Sequence, residues 1–179
     1  MKALITGATS GIGRDMAILL SKKGYDLIIA SRDTKKMKII QKKLPTKVQI
    51  ITVDLSKIED CYQLYDRVKE QDIDVVINNA GFGAFGQFWE IPLEKELNMI
   101  DLNIKAVHLL TKLFIQYFRQ KNKGYLLNVA SSAAFLPGPL MATYYATKAY
   151  VLHMTEAVWK ELQKENSNVK LSVLCPGPV

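Results

Sequence analysis

Cysteine is scarce. The chain has two in 179 residues, Cys61 and Cys175, far apart in sequence. That pair makes neither a disulfide framework nor a metal-ligand pattern, so no metal is expected and the cytoplasm is the default compartment. Long apolar runs are missing too. No stretch approaches the ~18 residues needed to cross a bilayer, so no membrane partner is expected. The opening Met1-Lys2-Ala3-Leu4-Ile5-Thr6-Gly7 meets a glycine turn after a short apolar stretch, which does not read as a signal peptide. Repeats, linkers and low-complexity segments are absent.

Acidic residues are outnumbered, 17 against 24 Lys and Arg, for a formal net charge of +7. A basic balance is one mark of nucleic-acid binding. Here the basic residues form no single long tract. Lys35, Lys36, Lys38, Lys42 and Lys43 fall on a predicted helix, where a solvated face accounts for them. No nucleic-acid partner is expected, and part of the charge is left to serve an anionic cofactor.

What is present is an alternation of short apolar runs and helical stretches. Strands read over 2–6, 26–30, 48–53, 73–77, 125–129 and 169–174. Helices read over 12–23, 33–43, 57–70 and roughly 142–165, with a helical region over 93–121. Apolar strands without alternation are buried on both faces. The predicted fold is therefore α/β: a doubly wound parallel sheet of Rossmann type, six strands with helices on both faces, in one domain over 1–179. The loop at 81–92 is rich in Gly and aromatics and shows no period.

Between the first strand and first helix stands Thr6-Gly7-Ala8-Thr9-Ser10-Gly11-Ile12-Gly13. Glycines there let backbone approach a pyrophosphate, and helix N-terminal amides bind the anion. After the second strand comes Ser31-Arg32-Asp33. An acid at that strand end would hold the ribose hydroxyls of NAD; a guanidinium can pair with the 2′-phosphate of NADP. NADP is the expected cofactor, with NAD as the alternative. In the plainer reading Arg32 is a surface residue and Asp33 a helix cap. Asp54, followed by Leu55, either accepts a hydrogen bond from adenine or caps the helix beginning near Ser56.

Tyr144 and Lys148 stand at i and i+4, on one helix face. A neighbouring ammonium favours a phenolate, and such a tyrosine can exchange protons near neutral pH. Tyr145 has Ala149 at that offset instead. Asn78-Asn79-Ala80-Gly81 follows the fourth strand, Asn103 lies on the central helix, Ser131 and Ser132 follow the fifth strand, and Pro176-Gly177 follows the sixth. In a doubly wound sheet these turns open where the strands end, and there ligands bind.

In these motifs, taken in order, the chain resembles the short-chain dehydrogenase/reductase family from end to end. The resemblance implies that Tyr144 protonates a substrate oxygen, and that Lys148 assists it and binds the nicotinamide ribose. It implies that Ser131 hydrogen-bonds the carbonyl, in an oxyanion-type role, and that Asn103 holds a water linked to Lys148. Ser131 lies 13 residues before Tyr144, the family's offset, and Ser132 reads as a turn hydroxyl. Asn78 and Asn79 brace the sheet or adjoin the cofactor. The implied activity interconverts a carbonyl and an alcohol on a small molecule; the alternative is an NAD(P)-binding chain without turnover. Family members usually continue beyond Pro-Gly into helices that close over the substrate. The chain stops at Pro176-Gly177-Pro178-Val179, so it is expected to lack that lid and to leave 169–174 as an unpaired edge. A homo-oligomer, dimer or tetramer, is expected, burying Leu109, Leu113 and Phe114 if they face outward. Phe82, Phe85, Phe88, Trp89, Phe135, Leu136 and Met141 line the pocket mouth or belong to core or subunit contacts.

Overall fold

A computed structural model describes residues 1–177; Pro178 and Val179, where the terminal run was read, lie outside the described residues. Six parallel strands run β1 (Lys2–Thr6), β2 (Asp26–Ser31), β3 (Val48–Thr52), β4 (Val75–Asn78), β5 (Gly124–Val129) and β6 (Val169–Leu174). Their spatial order is β3-β2-β1-β4-β5-β6. The order reverses between β1 and β4, and such a switch point opens a crevice at the strands' carboxyl ends. The helices are α1 (Gly11–Lys22), α2 (Thr34–Gln41), α3 (Ile58–Val68), α4 (Leu93–Ile100), α5 (Val107–Lys121) and α6 (Ala142–Lys164). Predicted bounds moved by no more than two residues.

The strand interiors are apolar because both faces are covered. On one face Ala17 of α1 and Met37 of α2 pack on Ala3, Ile5, Leu27 and Ile29. On the other, Leu64 of α3 and Phe114 and Phe118 of α5 pack on Leu4, Ile28, Val76 and Leu126. Burying each such large side chain contributes about 1.5–3 kcal/mol. β6 departs from this pattern. Its burial alternates, with Val169 and Leu171 inside and Lys170 and Ser172 exposed, so it is covered on one face only. It pairs only with β5 and is an edge strand among the described residues.

The helical region predicted over 93–121 is helical throughout, with a π-helical turn, Asp101–Ala106, between α4 and α5. Such turns concentrate at functional sites, and this one carries Asn103. Leu109 and Phe114 do not face outward. Both are buried under the sheet, Leu113 packs beside them, and Phe114 meets Tyr65 edge-on with centroids 5.2 Å apart. Helical spacing alone could not say which face of α5 met the sheet.

Candidate active site

The turn after β1 is built by close approach. Gly7 has φ +68°, and a Cβ there would stand 2.8 Å from Ala80 Cα. A Cβ on Gly13 would stand 2.3 Å from Asn79 Nδ2 and 2.5 Å from the Gly7 carbonyl oxygen. Asn79 occupies that space because its amide donates to the carbonyls of Thr6 and Gly7, both at 3.1 Å. Thr6 Oγ1 in turn accepts from the backbone N–H of Asn79 and of Ala80. β4 therefore clamps the β1 turn. Arg14 bonds back to Ser10, while the Ser10 side chain makes no cap and α1 has no acid in its first turn. The first amides of a helix lack intrahelical partners. Those of Gly11 and Ile12, which face the cleft, are thus left for an anion, so this cradle fits a cofactor pyrophosphate.

At the ends of β2 and β3 the alternatives separate. Asp33 is the cap of α2: its carboxylate accepts from Lys36 N–H at 2.9 Å, and that bond holds its pKa below the usual range. Arg32 is 63% exposed and stands 4.0 Å from Asp54 Oδ1, an ion pair worth at most about 1 kcal/mol. Its guanidinium is therefore free to engage another anion. Asp54 does not cap α3, which begins at Ile58 behind Lys57. Its Oδ1 accepts from the Ser56 N–H and hydroxyl and closes the turn before the helix.

On the other side of the crevice, Ser131 caps the short 3-10 turn Ser132–Phe135. Its Oγ accepts from Ala133 N–H at 3.1 Å, which leaves the hydroxyl hydrogen available. Tyr144 and Lys148 lie on the first turns of α6, with Lys148 Nζ 5.8 Å from the Tyr144 ring centroid. Nζ donates to the Val129 carbonyl at 3.0 Å. Tyr145 stands edge-on to Tyr144, its ring against Gly138. Asn103 is buried behind them. Its amide donates to Phe82 O and Thr147 Oγ1, and its carbonyl accepts from Phe82 N–H. Three of its hydrogen bonds are thus spent on protein, and one acceptor lone pair remains.

These groups meet around one cleft of about 730 Å³. Gly7, Thr9, Ser10, Gly11, Ile12, Ser31, Arg32, Asp54 and Leu55 line one end of it. Asn79, Ala80, Gly81, Ser131, Tyr144, Lys148, Pro176 and Gly177 line the remainder. Thr6, Gly13 and Asn103 do not reach it; they sit just behind its wall. Phe82 and Met141 are wall residues, as are Gly83, Ser132 and Tyr145. Phe85, Phe88, Trp89, Phe135 and Leu136 are exposed rather than core.

The short chain dehydrogenase family profile matches residues 1–179. This chain belongs to the short-chain dehydrogenase family. It is 31% identical over 180 residues to a very-long-chain 3-oxoacyl-CoA reductase of Coccidioides immitis, covering 96% of this chain and 52% of that protein. Among solved structures it is similar to a short-chain dehydrogenase of Sphingobium yanoikuyae in complex with NADPH, at 29% identity and TM-score 0.92, covering 99% of this chain and 71% of that one. It is also similar to a family member from Burkholderia phymatum in complex with NAD, at 29% identity and TM-score 0.93, covering 99% and 66%. The chain spans between 50% and 77% of the length of several curated relatives it matches. Among the described residues, no helix is long and apolar enough to cross a membrane and no metal-ligand cluster occurs.

Within this member of the family, sequence reasoning read Asn78 as bracing the sheet but missed the rest of a buried polar chain beneath the site. Asn78 Nδ2 donates to Asn128 Oδ1 at 2.9 Å, Thr111 bridges both, and Asn128 donates to Thr155 of α6. Asn78 and Asn128 are register partners on β4 and β5. The signal was a lone Asn inside the apolar run Leu126-Leu127-Asn128-Val129. Also missed was buried Glu96 of α4, which accepts from the Thr143 hydroxyl at the start of α6.

Lys148 is only 6% exposed, and burial pulls its pKa from 10.5 down to about 8. Below about pH 8 the folded and unfolded chains both hold the proton and the cost of a buried ammonium is in full force. Between about pH 8 and 10.5 only the unfolded chain keeps it, so stability rises with pH. Wild type should therefore gain stability relative to Lys148→Met between pH 7.5 and 10, read from urea midpoints. Parallel pH profiles for the two proteins would contradict this.

Proposed function

We propose that this chain is an oxidoreductase that interconverts a carbonyl and an alcohol with NADP(H), the whole 1–179 acting as one NAD(P)-binding catalytic domain. The observation that carries this reading is convergence. The anion-binding turn, the Ser131 hydroxyl and the Tyr144/Lys148 pair face a single cleft at the switch point of the sheet. The 3-oxoacyl-CoA reductase relative has a carbonyl substrate in its name, which supports the direction.

When bound, the nicotinamide supplies or accepts the hydride. The amides of Gly11 and Ile12, which line the cleft, would hold the pyrophosphate, and Arg32 would hold the 2′-phosphate. Ser131 donates its free hydrogen to the substrate oxygen, stabilising charge as it develops there. Tyr144 passes its phenolic proton to that oxygen in reduction and takes it back in oxidation. The Lys148 ammonium balances the charge left on Tyr144 and contacts the nicotinamide ribose. Asn103 fixes Phe82 and Thr147, and so sets the angle at which α6 presents Tyr144. Its remaining lone pair is the place for a water joining Lys148 to solvent. Consumption of NADPH with a panel of ketones and aldehydes tests the proposal, with cofactor binding measured separately. Binding without turnover on any carbonyl would replace it with a non-catalytic NAD(P)-binding role.

Cofactor choice has its own test. Arg32→Asp reverses the only charge at the end of β2 that faces the cleft. A charge-assisted bond contributes about 1.5–3 kcal/mol, so NADPH affinity should fall about 10- to 100-fold while NADH affinity holds. Equal losses for both cofactors would remove Arg32 from the 2′-phosphate site.

A further inference from the structure

The cleft is charged at one end and bare at the other. Its charged lining residues are Arg32, Asp54 and Lys148. Arg32 and Asp54 stand together by the phosphate turn, and Lys148 is buried with its Nζ on Val129 O. The opposite end is framed by two loops. No charged residue falls between Asp74 and Glu90, or between Lys123 and Lys148, in a chain that is 23% charged overall.

The same two loops carry apolar side chains out to the lip. Gly81, Phe82 and Gly83 line the cleft, and Phe85 follows at 74% exposure. Ser132 and Ala133 line it, and Phe135 and Leu136 follow at 63% and 67%. Leu140 adjoins the wall residue Met141 and is itself exposed. The loops form one structure: Gly86 N–H donates to Leu140 O at 2.9 Å, and Gly83 packs on Tyr144 and Met141. The exposed apolar surface is thus continuous with the wall beside the proposed proton donor. Large apolar side chains left in water next to a cleft gain by meeting apolar ligand surface.

Building on the oxidoreductase reading, we infer that the substrate is an uncharged ketone, or the matching secondary alcohol, bearing an extended aliphatic or aromatic group. That group lies along Phe82, Met141, Phe85 and Leu140. In reduction the hydride goes from NADPH to the carbonyl carbon and the Tyr144 proton to its oxygen, giving the secondary alcohol and NADP⁺. Among the described residues, a carboxylate or phosphate on the substrate would find no cation lining this end except the buried Lys148.

The test is a kcat/KM series with NADPH over 2-butanone, 2-hexanone, 2-octanone and 2-decanone, with levulinate as the charged member. Each added methylene should raise kcat/KM about two- to fourfold, and levulinate should fall below 2-hexanone. The double variant Phe85→Ser, Leu140→Ser, altered only at exposed side chains, should flatten the rise. Turnover with a flat or falling series overturns this inference and leaves the oxidoreductase reading in place. Turnover of none of the ketones overturns both. A rise that the double variant leaves intact overturns the assignment of the lip. So does a variant that changes only the oligomeric state, which would give these side chains to a second copy of the chain.

Discussion

Tyr144→Phe is expected to cut turnover about 100- to 10,000-fold, the range contributed by a positioned general acid or base. The substitution keeps the ring, and with it the contacts to Gly83 and Tyr145. Only the hydroxyl and its proton are lost, so NADPH affinity should barely change. Tyr145→Phe is the matched control. Tyr145 lines the same cleft, but its i+4 neighbour is Ala149, so no ammonium answers charge on its oxygen. Its loss should cost little. If Tyr145→Phe were the damaging change and Tyr144→Phe the mild one, the proton donor would have to be reassigned.

Gly13→Val should lower NADPH affinity by up to about 1,000-fold and lower the thermal stability of the fold as well. The first side-chain carbon would overlap Asn79 Nδ2 and the Gly7 carbonyl. Overpacking of this kind costs about 1–3 kcal/mol. Moving Asn79 aside also gives up its two bonds to the turn, each worth about 1 kcal/mol. The damage falls on the phosphate cradle because Gly13 stands behind the cleft wall, at the clamp between β1 and β4. Titration by NADPH fluorescence, with thermal unfolding as the check on folding, measures it. Unchanged affinity would mean that the Asn79 clamp does not shape the cofactor site. Asn79→Ala should then be equally silent.

Much of the site was legible because it is local. The glycine turn, Tyr144 with Lys148, and Ser131 each follow a strand or open a helix, and local chemistry reports such positions. Of the buried polar chain from Asn78 through Asn128 to Thr155, only the bracing by Asn78 was legible. Its members are 50 and 27 residues apart, and they meet only because β4 and β5 pair in register beneath α6. Asn79 could be read as bracing the sheet or touching cofactor. In the structure it ties β4 to the β1 turn and also lines the cleft.

The sequence by itself determined the strand–helix alternation, the parallel sheet, the switch-point turn and the Tyr/Lys helix. Periodicity, glycine placement and i, i+4 spacing act within a few residues, and the chain carries that information directly. Tertiary structure alone decided which face of α5 is buried, that β6 is covered on one side, and that Asn103 spends its amide on Phe82 and Thr147. It also decided that two uncharged loops, some 50 residues apart in the chain, form one apolar lip beside Tyr144. These outcomes depend on what stands opposite each residue once the sheet has closed. Burial and hydrogen bonding between distant segments are set by the packed chain as a whole, and no local pattern encodes them.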